Sequence, residues 1–335
     1  MARVNFNKLI STWEVRLQKA FLESVRNITS SVDLTHLANM ITAGDVEGAI
    51  RAVNLDPKMF RPFEKTFEQA VEVGGNGAVS SLPPLRNADG GRVVFQFGVR
   101  DFAAEQWQRN YSSTMITEIT NDQRAMVRRF LTTAMEGGYN GRSVALDLVG
   151  RVGPTGVRSG GVIGLTSSQQ QWVQNYADEL SSGNLNALTR ELRDRRFDKM
   201  VRRAFENGED LTADQIDTMT TTYRNRALRY RGEAIGRSES ITALHQGQEL
   251  ALEQAIQENV IERKNLSYIW RAAKDDRTRD SHRVMDGQKQ PAGQDFVTGN
   301  GSHLRFPGDP DGPPEEVINC RCWREPSYDF FAGVE

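Results

Sequence analysis

Apolar residues recur at helical spacing through most of the chain. Between residues 9 and 28 this spacing defines one apolar face, which consists of Trp13, Leu17, Ala20, Phe21 and Val25. Similar periodicity predicts helices over residues 103–135 and 143–149, and a long helical tract over residues 212–262. The pattern therefore predicts a mainly helical protein.

Capping residues mark where several of these helices begin. Thr166 and Gln169 form a capping box, and Thr212 and Gln215 repeat the same spacing. We expect the helix that follows the first box to bury an apolar face made of Trp172, Val173, Tyr176, Ala177 and Leu180. A further short helix is predicted after Gly44, over residues 45–50.

Glycine and proline mark the predicted breaks. A stretch rich in both residues predicts a loop over 74–91, and the alternation that follows predicts a strand over 93–97. Repeated glycines over 150–164 predict a flexible connector, because the glycine motifs that bind phosphate are missing there. Gly232 and Gly236 predict an interruption in the long helical tract.

The pattern changes after Asn265. Residues 267–273 have the composition of a strand, and Asp286-Gly287 predicts a hairpin-type turn. The predicted fold class is mainly α with a small C-terminal α/β module, α+β in total, on an elongated helical body. The predicted domains are an N-terminal helical segment with a loop (1–90), the helical body (91–265) and the module (266–335).

The charge balance limits the possible partners. Lys and Arg total 42 against 44 Asp and Glu, giving a net charge of -2, and the mean hydropathy is -0.55. A protein that binds duplex DNA tightly through its phosphates normally carries a basic excess. We interpret the basic runs at 190–203 and 224–231 as solvated helix faces rather than a nucleic-acid track.

Neither secretion nor membrane insertion is indicated. Polar residues interrupt the segment from Met1 to Ala20, so it resembles neither a secretion signal nor an anchor. No later stretch approaches the roughly 18 apolar residues of a spanning helix. With only two cysteines in the chain, we expect a reducing compartment, where thiols stay free.

Four potential metal ligands fall in the C-terminal module: His282, His303, Cys320 and Cys322. On a strand, the two cysteines would point to one face and could share one ion, which suggests a structural zinc site. A disulfide is disfavoured, because residues two apart on a strand have Cα atoms roughly 6.5 Å apart. The alternative is that the thiols are small buried groups and the histidines make loop hydrogen bonds.

The same module also permits an enzymatic interpretation. His282 could act as a general base that Asp276 or Asp280 orients. Asp and Arg alternate before it, however, which is more typical of a local capping and ion-pair network. Because no nucleophile motif or convergent triad accompanies them, we expect no enzyme. The alternative function is a metal-dependent nuclease, or an ADP-ribosyl or nucleotidyl transferase, in this module.

Several of these residues occur in an order that resembles the phage head morphogenesis family typified by the F protein of phage Mu. The matching residues are Glu239 in an upstream helix, then Trp270, Asp276, Arg277, Arg279, His282, Asp286, Gly287, Asn319, Cys320, Arg321 and Cys322. The resemblance covers most of the chain from about Phe97 onward. Many relatives carry C-x-x-C where this chain has Arg279 and His282, and a histidine where it has Val317.

The resemblance implies a minor capsid protein of a tailed bacteriophage. Such a protein would be a structural component that binds the portal protein inside the capsid, and possible further partners are the major capsid or scaffold protein. It would act in head morphogenesis and in DNA packaging and ejection, with light contact to packaged DNA and none to membranes. Its place would be the virion, in the capsid interior at the portal vertex, after assembly in the cytoplasm of the bacterial host.

Overall fold

The computed structural model describes residues 5–82, 85–86, 92–93, 95–98, 102–154 and 156–329. The helices are α1 (Phe6–Ser31), α2 (Leu34–Thr42), α3 (Val46–Val53), α4 (Arg61–Ser81), α5 (Phe102–Glu136), α6 (Gly141–Val149), α7 (Ser167–Ser181), α8 (Asp198–Glu206), α9 (Ala213–Gln257), α10 (Asp280–Arg283) and α11 (Pro314–Val317). The strands are β1 (Leu85–Arg86), β2 (Arg92–Val93), β3 (Arg151–Val152), β4 (Arg158–Ser159), β5 (Leu266–Arg271), β6 (Lys289–Pro291), β7 (Phe296–Val297), β8 (His303–Leu304) and β9 (Trp323–Tyr328). The predicted class, mainly α with a small α/β module, is confirmed.

The sequence patterns account for most of the helices. All five residues of the predicted apolar face of α1 are buried. Asp45 caps the start of α3 by accepting a hydrogen bond from the Gly48 N–H. The capping box of Thr166 and Gln169 at α7 is confirmed, although Trp172 on the predicted buried face is 37% exposed.

The long helix α9 is continuous, so the interruption predicted near Gly232 and Gly236 is wrong. A Cβ atom on Gly236 would lie 2.5 Å from the Glu14 carbonyl oxygen, and one on Gly247 would lie 1.9 Å from that of Val71. These glycines therefore allow two backbones to approach closely within a helix, rather than ending it.

The loop predicted from residue 74 is also wrong up to Ser81, because α4 continues to that residue. Gly74 lies against the backbone of Leu244, where its Cβ atom would be 2.2 Å from the carbonyl oxygen. The strand predicted over 93–97 is reduced to the pair β1–β2. Within it, Val94 lies outside the described residues, and Phe97 is buried against Gly75 without strand pairing.

The predicted flexible connector at 150–164 is an ordered segment in its described residues. Strands β3 and β4 pair as an antiparallel hairpin, and Val162 and Ile163 are buried. The side chain of Gln123 accepts a hydrogen bond from the Gly164 N–H at 2.6 Å and donates one to the Leu165 carbonyl at 2.8 Å. The glycines here shape a turn that is tied to a neighbouring helix.

The C-terminal module is built on a three-stranded antiparallel sheet with the order β6-β5-β9. In its register Trp270 pairs with Arg324, and Tyr268 pairs with both Gln290 and Pro326. Strands β7 and β8 form a separate antiparallel pair. Trp270 is fully buried and meets the Phe296 ring edge-on at 5.2 Å, which joins the two sheets in one small core.

The chain divides into two compact units, and each combines segments that are distant in sequence. Unit 1 comprises Met1–Phe21, Phe63–Ser113 and Glu233–Glu335, and unit 2 comprises Leu22–Pro62 and Thr114–Gly232. The predicted domains 1–90, 91–265 and 266–335 are contiguous instead. The C-terminal module shares unit 1 with the N-terminal half of α1 and the C-terminal half of α9.

Among the residues that the structure describes, no helix combines the length and the apolar character of a membrane-spanning segment.

Candidate functional site

His282, Cys320 and Cys322 come together in the interior of the C-terminal module. The Nδ1 atom of His282 lies 3.5 Å from Cys320 Sγ and 3.6 Å from Cys322 Sγ. All three ligand atoms lie within 4.8 Å of one another, and each side chain is no more than 1% exposed. We call these three residues the His–Cys cluster.

The short helix α10 and the segment that precedes β9 position the His–Cys cluster. His282 lies on α10, and its ring meets the Trp270 indole edge-on at 5.3 Å. Both cysteines precede β9, which begins at Trp323, so the prediction that they lie within a strand is wrong. Their thiols nevertheless face the same imidazole, because the N–H of Cys320 donates to the Val317 carbonyl and turns the chain there. Both thiols are free.

The buried carboxylate of Glu316 lies on the far side of His282. Its Oε2 atom is 3.0 Å from His282 Nε2 and accepts a hydrogen bond from the Ser281 hydroxyl at 2.8 Å. Its Oε1 atom accepts hydrogen bonds from Asn300 at 2.9 Å and from Thr298 at 3.3 Å. Burial acts to raise the pKa of Glu316, but the hydrogen bonds from Ser281 and Asn300 outweigh it and the pKa is lowered. The imidazole therefore lies between two thiols and an anionic carboxylate.

The two thiols differ in their electrostatics. The hydrogen bond from Cys320 lowers the pKa of Cys322 to about 5, against the opposing effect of burial, and His282 acts in the same direction. Its partner Cys320 has a pKa well above the usual range, because it donates to Cys322 and is fully buried. The pKa values of the two neighbouring thiols are therefore shifted in opposite directions.

His303, the fourth predicted ligand, is not part of the cluster. It lies on β8 with an exposed side chain, and its Nδ1 atom is 4.0 Å from Asp295 Oδ2. The structure therefore brings together three of the four predicted ligands.

The turn before α10 is organised by Asp275, a residue that the motif did not include. Its side chain accepts hydrogen bonds from the Thr278 hydroxyl at 2.7 Å and from Arg321 at 2.7 Å. These bonds, with that of Thr278 the strongest, lower the pKa of Asp275. Asp276 and Arg277 have exposed side chains. The Asp-x-x-Thr spacing of a side-chain-capped turn was the available signal for Asp275.

The other motif residues hold the backbone around the cluster. Asp286 accepts a hydrogen bond from the Ala272 N–H at 3.0 Å, and Gly287 has a φ of 83° and donates to the Trp270 carbonyl. A guanidinium hydrogen bond from Arg279 reaches the Ile318 carbonyl. These contacts make the predicted Asp286-Gly287 turn part of the support for β5 and the cluster.

The motif residue Asn319 connects the module to α9. The N–H of Asn319, whose φ is 59°, donates to the Ser238 hydroxyl at 3.0 Å. The next residue of the same helix, Glu239, accepts a hydrogen bond from the Tyr111 hydroxyl at 2.9 Å. The upstream part of the motif and the terminal Asn-Cys-Arg-Cys segment therefore meet within unit 1.

Arg324 is the largest charged side chain that sequence reasoning missed. It is 1% exposed and donates hydrogen bonds to Gln248 at 2.8 Å, to the Arg305 carbonyl at 3.1 Å and to Glu249. Its guanidinium lies 3.9 Å from the centre of the Tyr268 ring. Its partners are distant in sequence, so no local pattern indicates its burial.

Comparison with known proteins gives one family. Residues 174–324 match the family model described as Phage Mu protein F like protein. No curated protein and no solved structure matches the chain significantly. The matched region includes every motif residue from Glu239 to Cys322, while residues 97–173 lie outside it. The resemblance predicted from these motifs is confirmed over this region: residues 174–324 are similar to the Phage Mu protein F like family of phage head morphogenesis proteins.

Proposed function

We propose that this protein is a minor head protein of a tailed phage that binds the portal protein inside the capsid. It acts there in head morphogenesis and in DNA packaging and ejection, with light contact to the packaged DNA. The observation that carries the proposal is the family match over residues 174–324. It is supported by the placement of the motif residues, which surround one folded module rather than being dispersed.

A structural role for the module is favoured over a catalytic one. His282, Cys320 and Cys322 are each no more than 1% exposed, so a substrate would have no access to them without local unfolding. The surface depression lined by Asp275 and Asp276 is not lined by His282 or either cysteine. A general base must come within hydrogen-bond reach of the proton that it removes.

Portal binding is tested with the full-length chain and the portal protein of the same phage. We expect the two purified proteins to co-elute as one complex in size-exclusion chromatography, and heads that contain the protein to show extra density at the portal vertex in cryo-electron microscopy. The portal of an unrelated phage serves as the control. The proposal would be contradicted if the chain did not bind the portal protein of its own phage, or if it bound only the major capsid or scaffold protein.

We also propose that the His–Cys cluster holds a structural zinc ion. In tetrahedral zinc sites with Zn–S bonds of about 2.3 Å and Zn–N bonds of about 2.0–2.1 Å, neighbouring N and S ligands are roughly 3.6 Å apart. The distances of 3.5 and 3.6 Å from His282 Nδ1 to the two sulfurs fit this geometry. The Glu316 carboxylate beside the other ring nitrogen matches the support that zinc-bound histidines commonly receive. The ion would stabilise the fold, since the three ligands of the His–Cys cluster come from two segments that are 38 residues apart in the sequence.

Metal analysis of the purified full-length protein tests the zinc proposal. We expect about one zinc ion per chain, as in single structural sites, and a loss of that zinc in Cys320→Ser/Cys322→Ser. A chelator should lower the melting temperature of the wild type but not of this variant. His303→Ala, which removes a histidine outside the cluster, should keep both the zinc and the chelator response. Wild-type protein prepared without chelator that holds no metal would contradict the zinc site and leave the portal proposal untouched.

A further inference from the structure

Four cations in and before α8 have exposed side chains and no acidic partner within 4.0 Å among the described residues. They are Arg195, Lys199, Arg202 and Arg203. The other arginines of the same run are each paired at 2.9 Å or less, Arg190 with Glu179, Arg193 with Asp198 and Arg196 with Asp194. The basic run therefore separates into residues that stabilise the fold and residues that do not.

The unpaired cations on α8 share one side of the helix. Val201 and Ala204 are buried and define its inner face. At 100° per residue, Lys199, Arg202 and Arg203 lie within one arc on the opposite side, toward solvent. We call these three residues, with Arg195 from the preceding turn, the α8 cationic face. Glu206 is an exposed acid on the same side, one turn beyond Arg202 and Arg203.

This arrangement is unfavourable for an isolated helix. Lys199 and Arg203 stand four positions apart and repel each other, as do Lys199 and Arg202 at three positions. The helix dipole favours Arg202 and Arg203 near the C-terminal end but disfavours Lys199 in the first turn. A bound polyanion would remove the repulsion.

The second basic run gives an internal contrast. In residues 224–231, Arg224 donates to the Gly160 carbonyl, Arg226 to that of Arg193, and Arg231 to that of Gly164 and to Asp122. Most arginines of this second run therefore donate hydrogen bonds to acceptors within unit 2. Density of arginine in the sequence therefore does not distinguish the two runs, whereas their contacts do.

We propose that the α8 cationic face binds the phosphate backbone of duplex DNA without reading its sequence. No large hydrophobic side chain between residues 195 and 203 is exposed. Protein interfaces usually have an apolar centre, which this face lacks, so an acidic protein is a poorer fit than a row of phosphates. The inference rests on the proposed function, since the head interior supplies the duplex, and it names the surface that makes the light DNA contact.

The test is binding of the full-length protein to a random-sequence duplex across a range of salt concentrations. If four phosphates are neutralised, the slope of log K against log salt should be about −3.6. The variant Arg195→Gln/Lys199→Gln/Arg202→Gln/Arg203→Gln should bind at least roughly 100-fold more weakly at 0.1 M salt, with a slope near zero. The opposite change, Glu206→Gln, should strengthen binding, because it removes the acid on this face.

A matched control removes four exposed cations that are dispersed over the chain, Lys19, Arg26, Lys65 and Lys289, each changed to Gln. It has the same net charge as the test variant and should bind DNA nearly as well as the wild type. Equal losses in both variants would mean that only net charge matters, and the assignment to α8 would be wrong. Binding of an acidic peptide in preference to the duplex would also overturn it. The test variant should still form the complex with the portal protein. A negative result for DNA binding can therefore be distinguished from a failure of the proposed portal function.

Discussion

Replacing Arg324 with Ala should lower the free energy of unfolding by roughly 3–5 kcal/mol, the usual cost of removing one partner from a buried ion pair. The variant leaves Glu249, whose side chain is 19% exposed, without its cation. It also leaves the amide oxygen of Gln248 and the carbonyl of Arg305 without a donor. Each unsatisfied buried acceptor adds to the loss.

The packing of the guanidinium adds a second contribution. It lies 3.9 Å from the centre of the Tyr268 ring and 5.1 Å from that of Phe306. Arg324 therefore fills space between β5, α9 and the segment that follows β8, as well as carrying charge. Alanine would leave a cavity between two aromatic rings, which the surrounding module can close only in part.

Urea denaturation measures the effect, as a lower midpoint with an unchanged slope. Arg324→Lys keeps the charge but loses the planar fork that reaches three acceptors, so it should recover only part of the stability. Glu249→Gln should cost less than Arg324→Ala, because its side chain is partly exposed. A loss below about 1 kcal/mol for Arg324→Ala is typical of surface ion pairs. Such a result would show that the hydrogen bonds of Arg324 do not stabilise the module as a buried ion pair does.

The helices were predictable because the residues that determine them are close together in the sequence. The apolar residues of α1 and the capping box of Thr166 and Gln169 act within one or two helical turns, and both are confirmed. The glycines were misinterpreted for the same reason. Gly74 and Gly236 are next to backbones that are distant in sequence, and only that approach explains why a helix retains them.

The candidate site was predictable in part. Cysteine and histidine are few enough that their clustering near the C-terminus indicated His282, Cys320 and Cys322 directly. The carboxylate of Glu316 was missed because a glutamate in an acidic, proline-rich segment is normally solvated. It is held by Ser281, Thr298 and Asn300, and none of these lies near it in the sequence.

Acidification should destabilise the protein through His245, a fully buried residue of α9. Its Nδ1 atom lies 2.9 Å from the Ile241 carbonyl oxygen. Its Nε2 atom accepts a hydrogen bond from the backbone N–H of Arg324 at 3.1 Å. Burial, together with the nearby charge of Arg324, lowers the pKa of His245 to about 3. The Phe6 and Phe306 rings beside it offer no counter-charge. Protonation would place a second cation next to Arg324 and remove the acceptor for its N–H.

The direction of the pH effect follows from the two pKa values. In the unfolded chain a histidine takes up its proton at about pH 6.5, whereas folded His245 stays neutral down to about pH 3. The contribution of neutral His245 to the free energy of unfolding is therefore complete above pH 6.5. It declines toward pH 3 by about 1.4 kcal/mol per pH unit. Between pH 6.5 and 4.5 the free energy of unfolding should fall by roughly 2–3 kcal/mol through this residue alone.

His245→Gln isolates that part of the pH dependence. Glutamine can still accept from the Arg324 N–H, so the variant should fold, with lower stability at pH 7.5 and a decline between pH 6.5 and 4.5 that is smaller than that of the wild type by 2–3 kcal/mol, about the linkage of one buried histidine. His36→Gln removes an exposed histidine of α2 and should leave the wild-type decline unchanged. Other groups that titrate in this range act equally in all three proteins, so the difference between the curves measures His245. Parallel curves for the wild type and His245→Gln would mean that the imidazole is protonated without penalty, and the contact between α9 and β9 would then not depend on a neutral His245.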